Sequence, residues 1–302
     1  MRVISVLPSA TEILCALGHG AELVGRSAEC DYPGEVVSLP VVMHPRTWDA
    51  DRPSLEIDAR VRAAREQGES LYALDVGLLR ELRPDLLLTQ DLCGVCSVTQ
   101  AEVTAACSLA GVAPRVISLM PRRLEEVWQS VGTVADALGD PTAAERLLHH
   151  ARTVSHSIDA DGSRPSVAVV EWLDPPILAG LWTPDIVALA GGASVGPAPG
   201  APGIRTTWSD LASQPIDLLI LSPCSFTVER TIDEFRNAEL RRAVERLAPR
   251  LGTFVADEAY FSRPGPRLAE GVRLVRDLIA GELVAHPMPV KLLRPELPRA
   301  TA

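Results

Sequence analysis

Lysine is almost missing from this chain: Lys291 is the only one, and arginine carries the rest of the positive charge. Aromatic residues are sparse at 4%, and acid outweighs base to a net charge of -10. That balance argues against a nucleic-acid partner, because phosphate contacts need a basic face. No apolar run approaches the ~20 residues needed to cross a bilayer as a helix. There is no phosphate loop and no Gly-x-Gly-x-x-Gly after a strand. NTPase and dinucleotide-oxidoreductase readings therefore lack their motifs. What is present is a globular balance, 47% hydrophobic and 23% charged over 302 residues. That length suits one large domain or two of about 150 residues. Six cysteines are too few for a disulfide-stapled miniprotein, and a core of this size needs no staples.

The chain opens Arg2-Val3-Ile4-Ser5-Val6-Leu7-Pro8-Ser9, then Ala10-Thr11-Glu12-Ile13-Leu14. A strand-length apolar run gives way to Ser9 with Glu12 three residues on, the signature of a capping box that opens a helix. A fold that begins at residue 2 or 3 leaves no basic start and apolar stretch for a secretory signal. The expectation is a cytoplasmic protein, in which cysteines stay reduced and favour ligand or catalytic roles.

The first half alternates strand and helix signals. Strands are expected at Glu22–Arg26, Pro40–Val42, Arg83–Thr89 and Arg115–Leu119, and helices at Ser54–Gln67, Asp75–Leu82 and Ala101–Ala110. Such alternation reads as α/β with a mainly parallel sheet. From Arg122 to Ile158 runs one long helical stretch, which Gly139-Asp140-Pro141 breaks or kinks. The second half repeats the style, with a strand at Ser166–Leu173, a helix from Pro184 stopped by Gly191-Gly192, and a strand at Pro215–Ser222. A strand at Phe254–Ala256 and a last helix over Pro266–Ala280 follow. The expected plan is an N-terminal lobe (1–121), a bridging helix (122–160), a C-terminal lobe (161–284) and an extended tail (285–302), which has four prolines in 287–298.

Ser9-Ala10-Thr11-Glu12-Ile13 after the first strand, Arg83-Pro84-Asp85-Leu86-Leu87-Leu88, Glu125-Val127, Leu189-Ala190-Gly191-Gly192 and Tyr260-Phe261-Ser262-Arg263-Pro264-Gly265-Pro266-Arg267 occur in a fixed order. This ordered set resembles the class III substrate-binding proteins, which serve ABC importers of cobalamin and siderophore-type metal chelates, and it looks closest to the cobalamin-binding branch. The resemblance covers residues 2 to 282. It implies two Rossmann-like α/β lobes joined by a long interlobe helix, with the ligand in the cleft between lobes. Two features depart from the transport pattern: the missing export signal, and a set of cysteines that ligand capture does not need.

Ligands of open parallel sheets sit outside the carboxyl ends of strands. Cys30 follows the strand near Leu23–Gly25, Cys93 and Cys96 follow the strand ending near Thr89, and Cys224 follows the equivalent strand of the second lobe. Under the implied fold all four approach one cleft. Cys-x-x-Cys lets two thiolates reach one soft centre, and two more would complete a zinc or iron site or hold an iron–sulfur cluster. The same residues also fit redox activity or plain core packing. Cys15 and Cys107 fall on apolar helix faces and read as core.

Other candidates are mixed. Glu12 is either the partner of Ser9 or part of a helix amino terminus that receives an anionic group. Trp172 and Trp182 either cover a flat ligand such as a corrin or seal the lobe. Tyr260, Arg263 and Arg267 share one loop, where the arginines suit carboxylates or phosphates. His44 is the one histidine expected in a loop after a strand, whereas His149, His150 and His156 read as solvated surface.

Three functions fit: a binding protein for cobalamin or a related metal chelate, with Trp172, Trp182 and Tyr260 as contacts; an enzyme on this fold with a cysteine-held metal or iron–sulfur cluster doing Lewis-acid or redox chemistry; and a metal or corrinoid chaperone serving an ABC transporter or another acceptor. One purification separates them. A cluster gives anaerobically purified protein a broad visible absorption that a Cys93→Ala/Cys96→Ala variant loses. A colourless, metal-free protein that takes up cobalamin stoichiometrically sinks the cluster reading.

Overall fold

The structure, a computed structural model, describes residues 1–46, 52–90, 98–156, 162, 164–282 and 285–293. The chain divides into two compact units: Met1–Arg52, Glu56–Thr153 and Arg263–Pro266 form the first, and Pro53–Leu55, Val154–Ser262 and Arg267–Ala302 the second.

The first unit runs β1 (Val3–Ser5), α1 (Pro8–Ala16), β2 (Leu23–Ser27), β3 (Val41–Pro45), α2 (Ser54–Glu66), β4 (Tyr72–Leu74), α3 (Val76–Leu82), β5 (Leu86–Gln90), α4 (Gln100–Ala110), β6 (Arg115–Leu119), α5 (Leu124–Leu138) and α6 (Pro141–Val154). Its sheet has the order β4-β3-β2-β1-β5-β6 and is parallel except where β4 runs against β3. Alternate residues of a strand point to opposite faces, so a sheet covered on both sides needs consecutive apolar residues. Val3, Leu86 and Leu88 pack on one face with Ile13 and Leu14 of α1, Val131 and Val134 of α5 and Ala143 and Ala144 of α6. Ile4 and Leu87 pack on the other with Leu79 of α3 and Val103, Ala106 and Cys107 of α4. Gly25 is required in β2, because a Cβ there would stand 2.6 Å from Val42 and 3.0 Å from Leu82.

The second unit runs β7 (Ser166–Leu173), β8 (Pro176–Leu178), α7 (Thr183–Leu189), β9 (Ala193–Val195), β10 (Ile204–Arg205), α8 (Trp208–Ala212), β11 (Leu218–Leu221), α9 (Val228–Glu234), α10 (Ala238–Glu245), β12 (Thr253–Ala256), α11 (Leu268–Ile279) and β13 (Val290–Leu292). Strands β9, β7, β11 and β12 are parallel, and β8, β10 and β13 supply antiparallel edges. One face is packed by Leu211 of α8, Val228 of α9 and Leu240 and Val244 of α10.

The break expected at Gly139-Asp140-Pro141 is present: Gly139, at φ +76 in the left-handed region, ends α5, and Asp140 accepts the Ala143 N–H to begin α6. Both helices cover a face of the first sheet. Two expectations change. The capping box of Ser9 and Glu12 does not form, since α1 starts two residues earlier, with Leu7 as its cap and Pro8 in the first turn. The tail from residue 285 is not simply extended, because Val290–Leu292 pairs with β12. Within this tail the Tyr260 hydroxyl donates to the Met288 carbonyl at 2.7 Å and receives the Met288 N–H at 3.2 Å. Positions 294–302, and 157–161 and 163 of the expected linker, lie outside the described residues.

Two histidines tie segments together with opposite pH signs. His286 is fully buried, 3.5 Å from Asp277 Oδ2. Burial pushes its pKa down, helped by Arg273 and opposed by Asp277 and Glu270. A depressed imidazole gives stability that is complete above its ordinary pKa of about 6.5 and is lost as pH falls toward the lowered folded value. His19 lies between Glu22, at 3.1 Å, and Asp140, at 3.4 Å. Its pKa is raised, first by the Glu22 hydrogen bond, so its contribution is complete below about 6.5 and fades as pH rises through the raised value. Urea denaturation across pH 5 to 8 checks both signs: relative to the parent, His286→Phe keeps more of its stability on acidification, and His19→Gln loses less on alkalinisation.

Candidate functional site

In the first unit the loops after β1, β2 and β6 share the carboxyl edge of the sheet, and residues 91–97, which follow β5, lie outside the described residues. Cys93 and Cys96 therefore lie outside the described residues. The loop after β2 brings Cys30 and Asp31 toward α1. Glu12, with its side chain 2% exposed, meets Arg263, whose side chain is 14% exposed. Arg263 Nη1 stands 3.4 Å from Glu12 Oε1 and also donates to Asp31 Oδ1, while Nη2 donates to Asp31 Oδ2 at 3.2 Å. Asp31 itself is largely open to solvent. The arrangement is a guanidinium held by one buried and one exposed carboxylate. Chemically it offers N–H donors for a ligand carboxylate or phosphate, provided the ligand takes the place of Asp31. Gly265 passes closely enough that a Cβ there would touch Glu12 Oε2 and Ser9 O, each at 3.6 Å. Ser9 Oγ is buried with no hydrogen-bond partner among the described residues.

Cys30 is a core residue here. It is 1% exposed within the apolar cluster around α1, and Thr11 Oγ1 donates to its Sγ at 3.1 Å. Burial pushes the thiol up to about 11, against the opposing Thr11 hydrogen bond, so at neutral pH it is protonated and poorly suited to bind a metal ion. Cys15 packs partly buried against the same cluster, and Cys107 is buried on the other face. Cys224 belongs to the second unit and is half-buried. Among the described residues no group of three His, Cys, Asp or Glu side chains is placed to hold a metal ion.

In the second unit Trp172 ends β7 half-buried, its ring 5.3 Å from that of Phe226, and its Nε1 is buried without a hydrogen-bond partner among the described residues. Arg230 lies 4.3 Å over the Phe226 ring and pairs with Glu234 at 2.6 Å. Glu234 also accepts the Ser54 hydroxyl at 2.6 Å. Beside Cys224, Ser225 has φ +64, and its N–H donates to buried Glu258. Two expected contacts are structural. Trp182 is 5% exposed and donates to the Phe261 carbonyl, fixing the start of α7. Tyr260 is 0% exposed, with its hydroxyl spent on Met288. Arg267 Nη1 reaches Met288 Sδ at 3.4 Å. His44 lies inside β3 opposite Ala73 of β4 instead of in a loop. His149, His150 and His156 are exposed, as expected. Reading the sequence missed Asp31, Glu258 and Arg26 as site-forming groups. The one signal was their place just at or past strand ends.

Two α/β units, each on a mainly parallel sheet, match the fold of solved substrate-binding proteins. Among solved structures, the chain is similar to a periplasmic heme-binding protein from Pseudomonas aeruginosa, at 20% identity and TM-score 0.65, over 95% of this chain and 96% of that one. It is also similar to the periplasmic vitamin B12-binding protein of Vibrio cholerae, at 17% identity and TM-score 0.61, over 92% and 96%. An ABC-type Fe3+-hydroxamate transport protein from Saccharomonospora viridis matches at 16% identity and TM-score 0.61, over 92% of each chain. No protein-family model matches the chain, and no curated protein matches it.

Loss of the Arg263 guanidinium leaves Glu12 buried with one counter-charge fewer. Arg263→Gln is expected to destabilise the first unit by roughly 3 kcal/mol, and a Glu12→Gln/Arg263→Gln variant to recover part of it. Urea denaturation checks this, and an unchanged Arg263→Gln midpoint would show that the pair contributes nothing.

Proposed function

We propose that this protein binds a metal chelate, and that the carboxyl edge of its first sheet, with Arg263 between Glu12 and Asp31, supplies polar contacts to it. The single observation that carries the reading is the likeness of fold over more than nine-tenths of the chain to proteins named as binders of heme, vitamin B12 or ferric hydroxamate. Those ligands share a flat or compact metal complex with peripheral polar groups. A buried arginine with an exposed, displaceable carboxylate partner suits such groups. Within this class cobalamin is the ligand we favour, since the ordered motifs at the start of the chain and before α11 resemble the cobalamin-binding branch. Trp172, half-buried near the end of β7 beside Phe226, is the aromatic side chain we assign to lie against a ring system. Delivery to an ABC transporter or another acceptor is the companion proposal.

The test is a titration of the purified chain with cyanocobalamin, hemin and ferrichrome, followed by visible absorption and tryptophan fluorescence. Stoichiometric binding of one of them at about micromolar Kd or tighter is the expected result. Trp172→Ala is expected to remove most of the fluorescence change. Failure of all three probes to bind would overturn the reading.

A further inference from the structure

Arg26 stands near the end of β2 and is only 7% exposed. Its Nη1 donates to the carbonyls of Ser27 at 2.9 Å, Ala28 at 3.3 Å and Cys30 at 3.2 Å, and its Nη2 to that of Val37 at 2.7 Å. Among the described residues it pairs with no carboxylate. Burying a guanidinium against carbonyls alone carries a desolvation penalty that an apolar side chain would avoid. Stability is therefore a poor reason for an arginine at this position. The fork does one thing an apolar residue cannot: it gathers carbonyls from both ends of the loop that leaves β2. Cys30, whose carbonyl Arg26 holds, is followed by Asp31, which grips Arg263 through both guanidinium nitrogens, and Arg263 meets Glu12. The links run in series from the core to the exposed edge.

We infer that Arg26 is a positioning residue: it fixes the loop of residues 27–37 so that Asp31 holds Arg263 over Glu12 in the orientation that a ligand meets. The ligand-facing half of this inference rests on the chelate-binding reading. Lysine would not replace it, because a single ammonium cannot span carbonyls at both ends of the loop as a planar fork does.

Amide hydrogen exchange followed peptide by peptide tests the order of the links. Arg26→Ala is expected to speed exchange about tenfold both in residues 27–38 and in the segment carrying Arg263, with the rest of the first unit unchanged. Millimolar ethylguanidinium is expected to reverse both effects. Asp31→Asn is expected to loosen the Arg263 segment alone. Arg26→Lys, which keeps the charge, serves as the variant least disturbing to folding and is expected to reproduce the loosening in weaker form. For whichever of cyanocobalamin, hemin or ferrichrome the parent binds, Arg26→Ala is expected to weaken Kd about tenfold. The Arg26→Ala/Asp31→Asn pair is then no weaker than the worse single variant. Two outcomes overturn the inference: a loosened loop with an unchanged Arg263 segment, or uniform loosening of the first unit that ethylguanidinium does not restore. If the parent binds none of the probes, the chelate reading fails, and the exchange pattern still decides whether Arg26 positions Arg263.

Discussion

A parallel sheet covered by helices on both faces leaves polar chemistry almost nowhere to go except the loops at the ends of its strands. In the first unit that constraint is nearly complete. Val3, Ile4, Leu86, Leu87 and Leu88 are all below 2% exposed, and each face is closed by its own set of helices. Among the described residues several polar groups gather at the carboxyl edge: Glu12 on α1, Asp31 past β2, and Arg263 on a segment that rejoins this unit after most of the second has been traced. The charges there cannot stay unpaired in partial burial. They settle into one chain of contacts, from the carbonyl cage of Arg26 through Asp31 and Arg263 to Glu12.

The second unit resolves the same constraint with aromatic residues. Trp182 and Tyr260 each give their polar atom to a backbone carbonyl, as buried aromatic residues with a polar tip must. That hydrogen bonding converts two apparent ligand contacts into braces, one for α7 and one for the terminal strap that carries β13. Trp172 stays half-buried near the strand end, with Phe226, itself covered by Arg230, beside its ring. The cysteines divide by burial in a similar way. Cys30 has the environment of a core thiol, with Thr11 donating to it, so a metal ligand at that place would first have to lose a proton in an apolar setting.

Much of the fold was legible in the sequence. Consecutive apolar residues at 86–88 and 167–170, and the strand and helix alternation around them, follow from local periodicity, and β7 spans just the residues expected of it. Where reading failed, a non-local competitor won. The capping box of Ser9 and Glu12 satisfies a local rule, but Pro8 already opens the helix, and Glu12 is claimed by an arginine 251 residues away. The proline-rich tail carries no strand periodicity, yet β12 offers an unpaired edge that residues 290–292 fill. His44 has the sequence context of a loop and lies instead in β3, because β4 extends the sheet beside it.

By itself the sequence determined the α/β class, the repeated strand-and-helix style of its two halves, and a resemblance carried by ordered motifs, because each depends on residue types at short range. Tertiary structure alone decided which side chains act together. Arg26, Asp31, Glu12 and Arg263 meet only after the sheet is assembled, and Cys30, Trp182 and Tyr260 withdraw into the interior at the same step. Burial decides both outcomes, and it belongs to the packed chain: an ionisable or polar group is assigned its partner only when water has been removed and another group, distant in sequence, stands within hydrogen-bonding reach.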